Sequence, residues 1–286
     1  MTPASGPDAA AGRPAGVARH PVLIHGAGGR MGQALLRLSL AHPRLTLVAA
    51  IDRPGSARLG QDIGPAVGRA PVGLRFEADL DAALQQAAVV VDFSTPSATA
   101  LLLAACQKTP RPLLIGTTGL DADTHTSALA ALSTRVPVLQ AANTSVGVHV
   151  LRHIAREAAR LLGAEYDAEV VEMHHRHKVD APSGTALALA EALAEAKGLS
   201  LAQHGCFARH GQVGPRPGDE VGVMTLRGGD VVGEHTVLLA GPMERLELSH
   251  RAHHRDLFAH GALRAAQWLV EQPAGRYGMA DVLGLR

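Results

Sequence analysis

From residue 21 onward, short apolar runs alternate with segments in which apolar residues recur every three or four positions. The first pattern predicts buried strands and the second amphipathic helices. Strands are predicted over 21–25, 46–51, 88–93, 112–115 and 137–142. Helices are predicted over 33–41, 79–86, 97–107 and 127–133. Strands that alternate with helices imply a parallel, doubly wound sheet, whose ligands bind outside the carboxyl ends of the strands.

The second half of the chain has a different rhythm. A helix is predicted over 145–163, with Gly163 at its end, then a strand over 168–173 and a helix over 186–196 closed by Lys197 and Gly198. Three further strands are predicted over 221–226, 231–239 and 245–250. They are separated by turns at Gly228, Gly229 and Asp230 and at Gly241 and Pro242. Strands joined this directly are expected to be antiparallel neighbours in an open, mixed or antiparallel sheet. A last helix over 257–271, carrying Trp268, is expected to return to the first unit as a cover. The expected fold is α/β: an N-terminal Rossmann-type doubly wound parallel sheet plus a C-terminal α+β domain with an open mixed sheet.

Composition narrows the function. The 286 residues are 47% hydrophobic and 19% charged, as in a soluble globular protein. A net charge of +1 offers no bulk field for nucleic acid or a membrane surface. At 2% aromatic residues, stacking on bases is not expected, and the core must rest on Ala, Val and Leu. Cys106 and Cys206 do not form a disulfide framework pattern, so a reducing, cytoplasmic setting is expected. No apolar run is long enough to span a membrane. Residues 1–20, rich in Ala, Gly and Pro, read as a disordered tail without a signal-peptide core.

Two stretches carry chemistry. The first is Gly26, Ala27, Gly28, Gly29, Arg30, Met31 and Gly32, between a strand and a helix. Gly26 suits a tight turn, Gly28 a close backbone approach to a pyrophosphate, and Gly32 close packing of helix on strand. Asp52 ends the second strand about twenty residues on, where a carboxylate bonds ribose hydroxyls. The carboxylate favours NAD, whereas Arg53 beside it would suit the 2′-phosphate of NADP. Phe93 and Ser94, Gly116, Thr117 and Thr118, and Ala142, Asn143 and Thr144 fall at later strand ends. They are candidates to line the ribose and nicotinamide, or are ordinary strand-to-helix turns.

The second stretch runs from Glu172 to Thr185. His174, His175, His177 and Lys178 crowd together, and Asp180, Ala181 and Pro182 lead into Ser183, Gly184 and Thr185 at the start of a helix. Such a start offers free N–H groups and partial positive charge to a carboxylate or phosphate, and Gly184 leaves the backbone accessible. Lys178 adds a full charge and a histidine can move a proton near neutral pH. The stretch predicts a site for a small anion that undergoes proton transfer. A solvated histidine-rich loop, or metal binding by His175 and His177, are the other readings of it.

Together these motifs, with Gly116 to Gly119, Ala141 to Asn143 and Val232 to His235, resemble the 4-hydroxy-tetrahydrodipicolinate reductase (dihydrodipicolinate reductase) family. The resemblance covers the chain from about Val22 onward. It implies NADH- or NADPH-dependent reduction of a small heterocyclic dicarboxylate in the diaminopimelate route to lysine. It implies a dinucleotide-binding domain over 21–145 and 256–286, a substrate-binding and oligomerisation domain over 146–255, and a homotetramer. His174 is then the proton donor and acceptor and Lys178 the second proton donor. His175, Gly184 and Thr185 hold the substrate carboxylates. Gly26 to Met31, Asp52, Arg53, Gly116 to Thr118 and Ala141 to Thr144 contact the cofactor. No metal is implied. Thr144 departs from the aromatic residue common there, and the loop around Arg216 to Glu220 matches poorly. Another two-domain amino-acid dehydrogenase, or a non-catalytic nucleotide- or metal-binding protein, are the rival readings.

Overall fold

A computed structural model describes residues 18–285. Residues 1–17, most of the expected tail, and residue 286 lie outside the described residues. The chain opens with β1 (His20–His25), α1 (Arg30–Ser39), β2 (Leu45–Ile51), α2 (Ile63–Ala66), β3 (Phe76–Glu77) and α3 (Leu80–Gln86). It continues with β4 (Val89–Asp92), α4 (Pro96–Lys108), β5 (Leu113–Ile115), α5 (Ala122–Ser133) and β6 (Pro137–Gln140). Next come α6 (Val146–Leu162), β7 (Asp167–His174), α7 (Gly184–Ala196), α8 (Leu201–His204), β8 (Gly205–Cys206) and β9 (Val221–Arg227). The last elements are β10 (Glu234–Ala240), β11 (Arg245–Arg251), α9 (Asp256–Leu269), β12 (Gly275–Tyr277) and α10 (Met279–Leu283).

The first sheet is parallel throughout, in the order β12-β6-β5-β4-β1-β2-β3. Its central strands are apolar on both faces because helices cover both. Val22, Ile24, Val89, Val91 and Leu114 pack with α1 and α9, and Leu23, Val90, Leu113 and Ile115 with α3, α4 and α5. Full burial of each such side chain is worth about 1.5–3 kcal/mol. With so few aromatic residues, Phe76 is the largest fully buried side chain. The helices start where their caps dictate. Thr95 caps α4 with Pro96 in its first turn, Ser145 caps α6 and Ser183 caps α7. At the other end of α6, Gly163 takes φ +72°, a conformation that favours glycine.

The second sheet has the order β11-β10-β7-β9-β8 and is mixed. It corrects one expectation. β9 and β10 run in opposite directions but do not pair, because β7 lies between them, antiparallel to β10 and parallel to β9. The glycines at 228 and 229 belong to an arch across the end of β7. Gly228 N donates to His174 O, and His175 N donates to Val231 O at 2.8 Å. The arch delays the next strand, which starts at Glu234 instead of residue 231. α6 and α7 cover one face of this sheet over Ala168, Val170, Val221, Val223, Val237 and Leu239.

After β11 the chain returns to the first sheet. α9 packs on α1, β4 and β5, Arg37 makes two bonds of 2.7 and 2.6 Å to Asp256, and β12 pairs with β6. β3, β8 and β12 have only two or three residues each, too short for a periodic signal.

Candidate active site

A cleft of about 1240 Å³ opens at the carboxyl ends of β1, β2 and β4. Gly26, Gly28, Gly29, Asp52 and Arg53 line it, as do His25, Arg58, Phe93 and Ser94. Gly26 turns the chain at φ +79°, and a side chain there would press on the Phe93 carbonyl, 2.5 Å from its Cβ. A Cβ on Gly28 would collide with the Asp52 carboxylate, and one on Gly32 with the backbone of Gly26 and Ala27. The glycines thus form a cradle that side chains would fill, and α1 begins directly after Gly29, its N-cap and a lining residue of the cleft, as suits a phosphate at a helix start. Ala27 is buried beneath the turn, while Arg30 is exposed and Met31 half-buried at the start of α1. Asp52 accepts from Arg53 N at 2.9 Å and from Ser56 Oγ at 2.6 Å, which fixes its carboxylate beside Gly28. These residues fit a dinucleotide.

Farther along the strand ends, Asp92 forms a buried hub. It accepts from Ser94 Oγ (2.6 Å), Thr99 Oγ1 (2.6 Å) and Thr117 Oγ1 (2.8 Å) and pairs with His25 Nδ1 (2.7 Å). Burial alone would raise its carboxyl; His25, Ser94 and Thr99 outweigh that and hold it below the usual carboxylate range. Gly116 leaves room for the Phe93 ring, and Thr118 is exposed beyond it. Ala141 and Ala142 lie just past the end of β6, the second more exposed than the first, and neither lines the cleft. The Thr144 hydroxyl turns away from the strand ends and donates to Phe258 O of α9 at 2.7 Å. Sequence reasoning gave no role to His25, Asp92 or Arg58, since single polar residues beside apolar runs carry no spacing signal.

The histidine stretch emerges from the end of β7. Residues two apart on a strand share a face, so Glu172 and His174 point the same way. Glu172 Oε2 meets His174 Nδ1 at 2.6 Å. Glu172 is fully buried and also accepts from Arg227 (2.9 and 3.0 Å), Ser183 N (3.0 Å) and Thr225 Oγ1 (3.2 Å). Burial works against its charge, but Arg227 first, then His174 and Ser183 N, keep its carboxyl below the usual range. The His174 ring sits edge-on to His235 at 5.2 Å, and Gly233 leaves space against its Nε2. His235, buried beside the cap of α7, bonds Ser183 Oγ at 3.1 Å, and burial together with His174 pushes it down to about 4. Glu172 stands in the row Ala168, Val170, Glu172, where a lone carboxylate among buried apolar positions was the available signal.

β7 ends at His174, so His175 and His177 do not share a strand face. The His175 ring bonds Arg255 Nη2 through Nε2 at 2.9 Å. Because the guanidinium can only donate, His175 accepts there, and burial followed by Arg255 lowers its basicity. The Lys178 amine is held by both oxygens of the exposed Asp180, at 2.7 Å each. Ser183 then caps α7, and Gly184 opens its first turn with free space where a Cβ would stand. Thr185 is reached from the other sheet: Asn143 Nδ2 donates to Thr185 Oγ1 at 3.1 Å. Among the described residues, no group of three His, Cys, Asp or Glu side chains is placed to hold a metal ion.

A parallel sheet with a glycine cradle, joined to a mixed sheet that presents a fixed histidine, a lysine and an open helix start, defines a two-sheet dinucleotide-linked oxidoreductase. The family model "Dihydrodipicolinate reductase, N-terminus" matches residues 20–144, and "Dihydrodipicolinate reductase, C-terminus" matches 147–283. The chain belongs to the dihydrodipicolinate reductase family. It is 47% identical over 262 residues to the 4-hydroxy-tetrahydrodipicolinate reductase of Halorhodospira halophila, covering 92% of this chain and 98% of that one. To the protein of the same name from Anaeromyxobacter sp. (strain Fw109-5) it is 49% identical over 265 residues, covering 93% and 98%. In fold it is similar to the dipicolinate-bound dihydrodipicolinate reductase from Paenisporosarcina sp. TG-14, with a TM-score of 0.73, 22% identity, and coverage of 92% and 98%.

Proposed function

We propose that this chain reduces 4-hydroxy-tetrahydrodipicolinate to tetrahydrodipicolinate with NADH or NADPH, in the diaminopimelate route to lysine. The observation that supports the reading is the succession of His174 at the end of β7, Lys178 in the loop after it and the start of α7, tied to the dinucleotide half by the bond from Asn143 to Thr185. Gly26 to Met31, Asp52, Arg53, Gly116 to Thr118 and Ala141 to Thr144 would hold the cofactor. A reduced nicotinamide bound there supplies hydride.

The protein's own part is binding and proton management. The first turn of α7 at Gly184 and Thr185, together with His175, would grip the carboxylates. Lys178, swung from Asp180, would stabilise negative charge growing on the ring nitrogen and protonate it. His174, oriented by Glu172, would give a proton to a ring carbon through Nε2. Residues 21–145 with 256–286 would form the cofactor half and 146–255 the substrate half, and closure of one on the other would exclude water.

We infer a homotetramer built on the second sheet. α6 and α7 cover one face; the opposite face carries Val171, Met173, Met224, Leu226 and Leu238, with Leu226 51% exposed. An apolar sheet face of this kind is a usual subunit contact. The enzyme is proposed to be cytoplasmic; among the described residues no helix is long and apolar enough to cross a membrane.

The test is nicotinamide absorbance with freshly generated 4-hydroxy-tetrahydrodipicolinate. Steady oxidation of NADH or NADPH is expected. No oxidation by folded protein with either cofactor rejects the reading, and light scattering reads the subunit number.

A further inference from the structure

His25 stands at the end of β1, immediately before the glycine turn, and no role in cofactor binding follows for it from the motif. It is 7% exposed, yet it lines the dinucleotide cleft. Its Nδ1 lies 2.7 Å from Asp92 Oδ1. Asp92 is held ionised by its neighbours, and an ionised carboxylate only accepts hydrogen bonds. The proton between them therefore sits on Nδ1. The one hydrogen bond that the His25 ring makes among the described residues is this one through Nδ1, and in a neutral ring that carries its proton there Nε2 is a lone-pair acceptor.

We propose that His25 is a cofactor-contacting residue whose Nε2 accepts a hydrogen bond from a hydroxyl or amide N–H of the bound dinucleotide. The inference rests on the dinucleotide reading above and adds an acceptor to it. A phosphate oxygen has no proton to offer Nε2 at neutral pH, so the matching groups are ribose hydroxyls or the carboxamide. Asp92 acts through His25 by fixing its tautomer. The same carboxylate anchors Ser94 and Thr117, so three strand ends along the cleft share one reference point. Ser94 N also donates to Thr117 Oγ1 at 2.9 Å, which locks the β4 and β5 ends together.

NADH binding to the full chain, followed by nicotinamide fluorescence, tests the contact in wild type, His25→Ala and His25→Asn. Asparagine keeps an N–H where Nδ1 stands, so the Asp92 bond survives, but it has nothing at the place of Nε2. Both variants are expected to bind NADH roughly five- to tenfold more weakly, the worth of one neutral hydrogen bond. Nitrogen-15 NMR of the wild type at about pH 8, where an ordinary imidazole is neutral, should show an unprotonated Nε2 that shifts when NADH is added. Wild-type affinity in His25→Asn, or a proton on Nε2 at that pH, overturns the contact. A wild-type protein that binds no NADH at all takes down the dinucleotide reading together with it, a different outcome from a wild type that binds and variants that match it.

Discussion

Asn143 Nδ2 donates to Thr185 Oγ1 across 3.1 Å, and this bond joins the end of β6 in the parallel sheet to the first turn of α7 beside the mixed sheet. Asn143 is itself held: its Oδ1 accepts from Ser145 N at 2.8 Å and its carbonyl meets His149 Nε2 at 2.8 Å. A strand end of the proposed cofactor half is thus registered against the proposed carboxylate grip. Thr185→Val keeps the shape and removes the acceptor. Its kcat/KM is expected to fall about fivefold, the worth of one hydrogen bond, with the thermal midpoint nearly unchanged. Unchanged steady-state kinetics would show that the bond does not matter for the reaction.

Lys178→Ala and His174→Ala test the proton donors. Each is expected to lower kcat by about a hundredfold or more, in the range of positioned acid and charge-stabilising groups. Circular dichroism of Lys178→Ala should stay that of the wild type, because among the described residues its amine bonds only the exposed Asp180, whereas His174→Ala takes a partner from the buried Glu172 and its rate is to be read per folded molecule. Near-normal turnover by both variants would remove them from the chemistry.

Glu172→Gln probes the support beneath His174. Glutamine keeps the volume but loses the charge that faces Arg227 and His174, and its amide cannot accept at both oxygen positions. A buried carboxylate with this many donors is destabilising to disturb, by about 3 kcal/mol when one partner of a buried pair is lost, less here because Arg227 is partly exposed. Thermal melting should show the loss, and kcat should fall further than the folded fraction explains. A variant that melts lower yet turns over normally per folded molecule would limit Glu172 to a structural part.

His235 predicts an acid dependence. Burial pushes it down to about 4, whereas the unfolded chain returns it to about 6.5. Between those values the unfolded chain binds a proton that the folded chain refuses, so stability falls as pH drops through the window. The full difference is about 3 kcal/mol, developed by pH 4 and absent above about pH 7. His235→Gln should flatten the fall in denaturation midpoint over this range. An equally steep fall in the variant would assign the effect to other groups.

Arg53→Ala should weaken NADPH about tenfold more than NADH, since only NADPH carries the 2′-phosphate for a charged hydrogen bond. Arg58 lines the same cleft, with its guanidinium 5.8 Å from the Phe76 ring centre, and is expected to share the effect. The ratio of the two KM values reads this directly. Equal losses for both cofactors in both variants would deny these arginines the phosphate.

Local pattern alone determined the central strands of the parallel half and its main helices, but not its edge strands β3 and β12. Its central strands are short and apolar, its main helices are periodic, and its glycines fall at a recognisable spacing between a strand and a helix, although the contacts that require them, Phe93 on Gly26 and Asp52 on Gly28, are distant in sequence. Local pattern likewise determined the strand, loop and helix that carry His174, Lys178 and Ser183. What the chain order could not reveal was which strands become neighbours. Only the tertiary structure placed β7 between β9 and β10, because pairing is settled by where each strand finds a buried face, not by the length of the turn that follows it. The long-range partners follow the same rule. Arg227 on Glu172, His235 beside His174, Asp92 under His25 and Asn143 on Thr185 each join residues distant in sequence. Such contacts leave no period or spacing along the chain, since a hydrogen bond depends on two groups meeting in space and not on the number of residues between them.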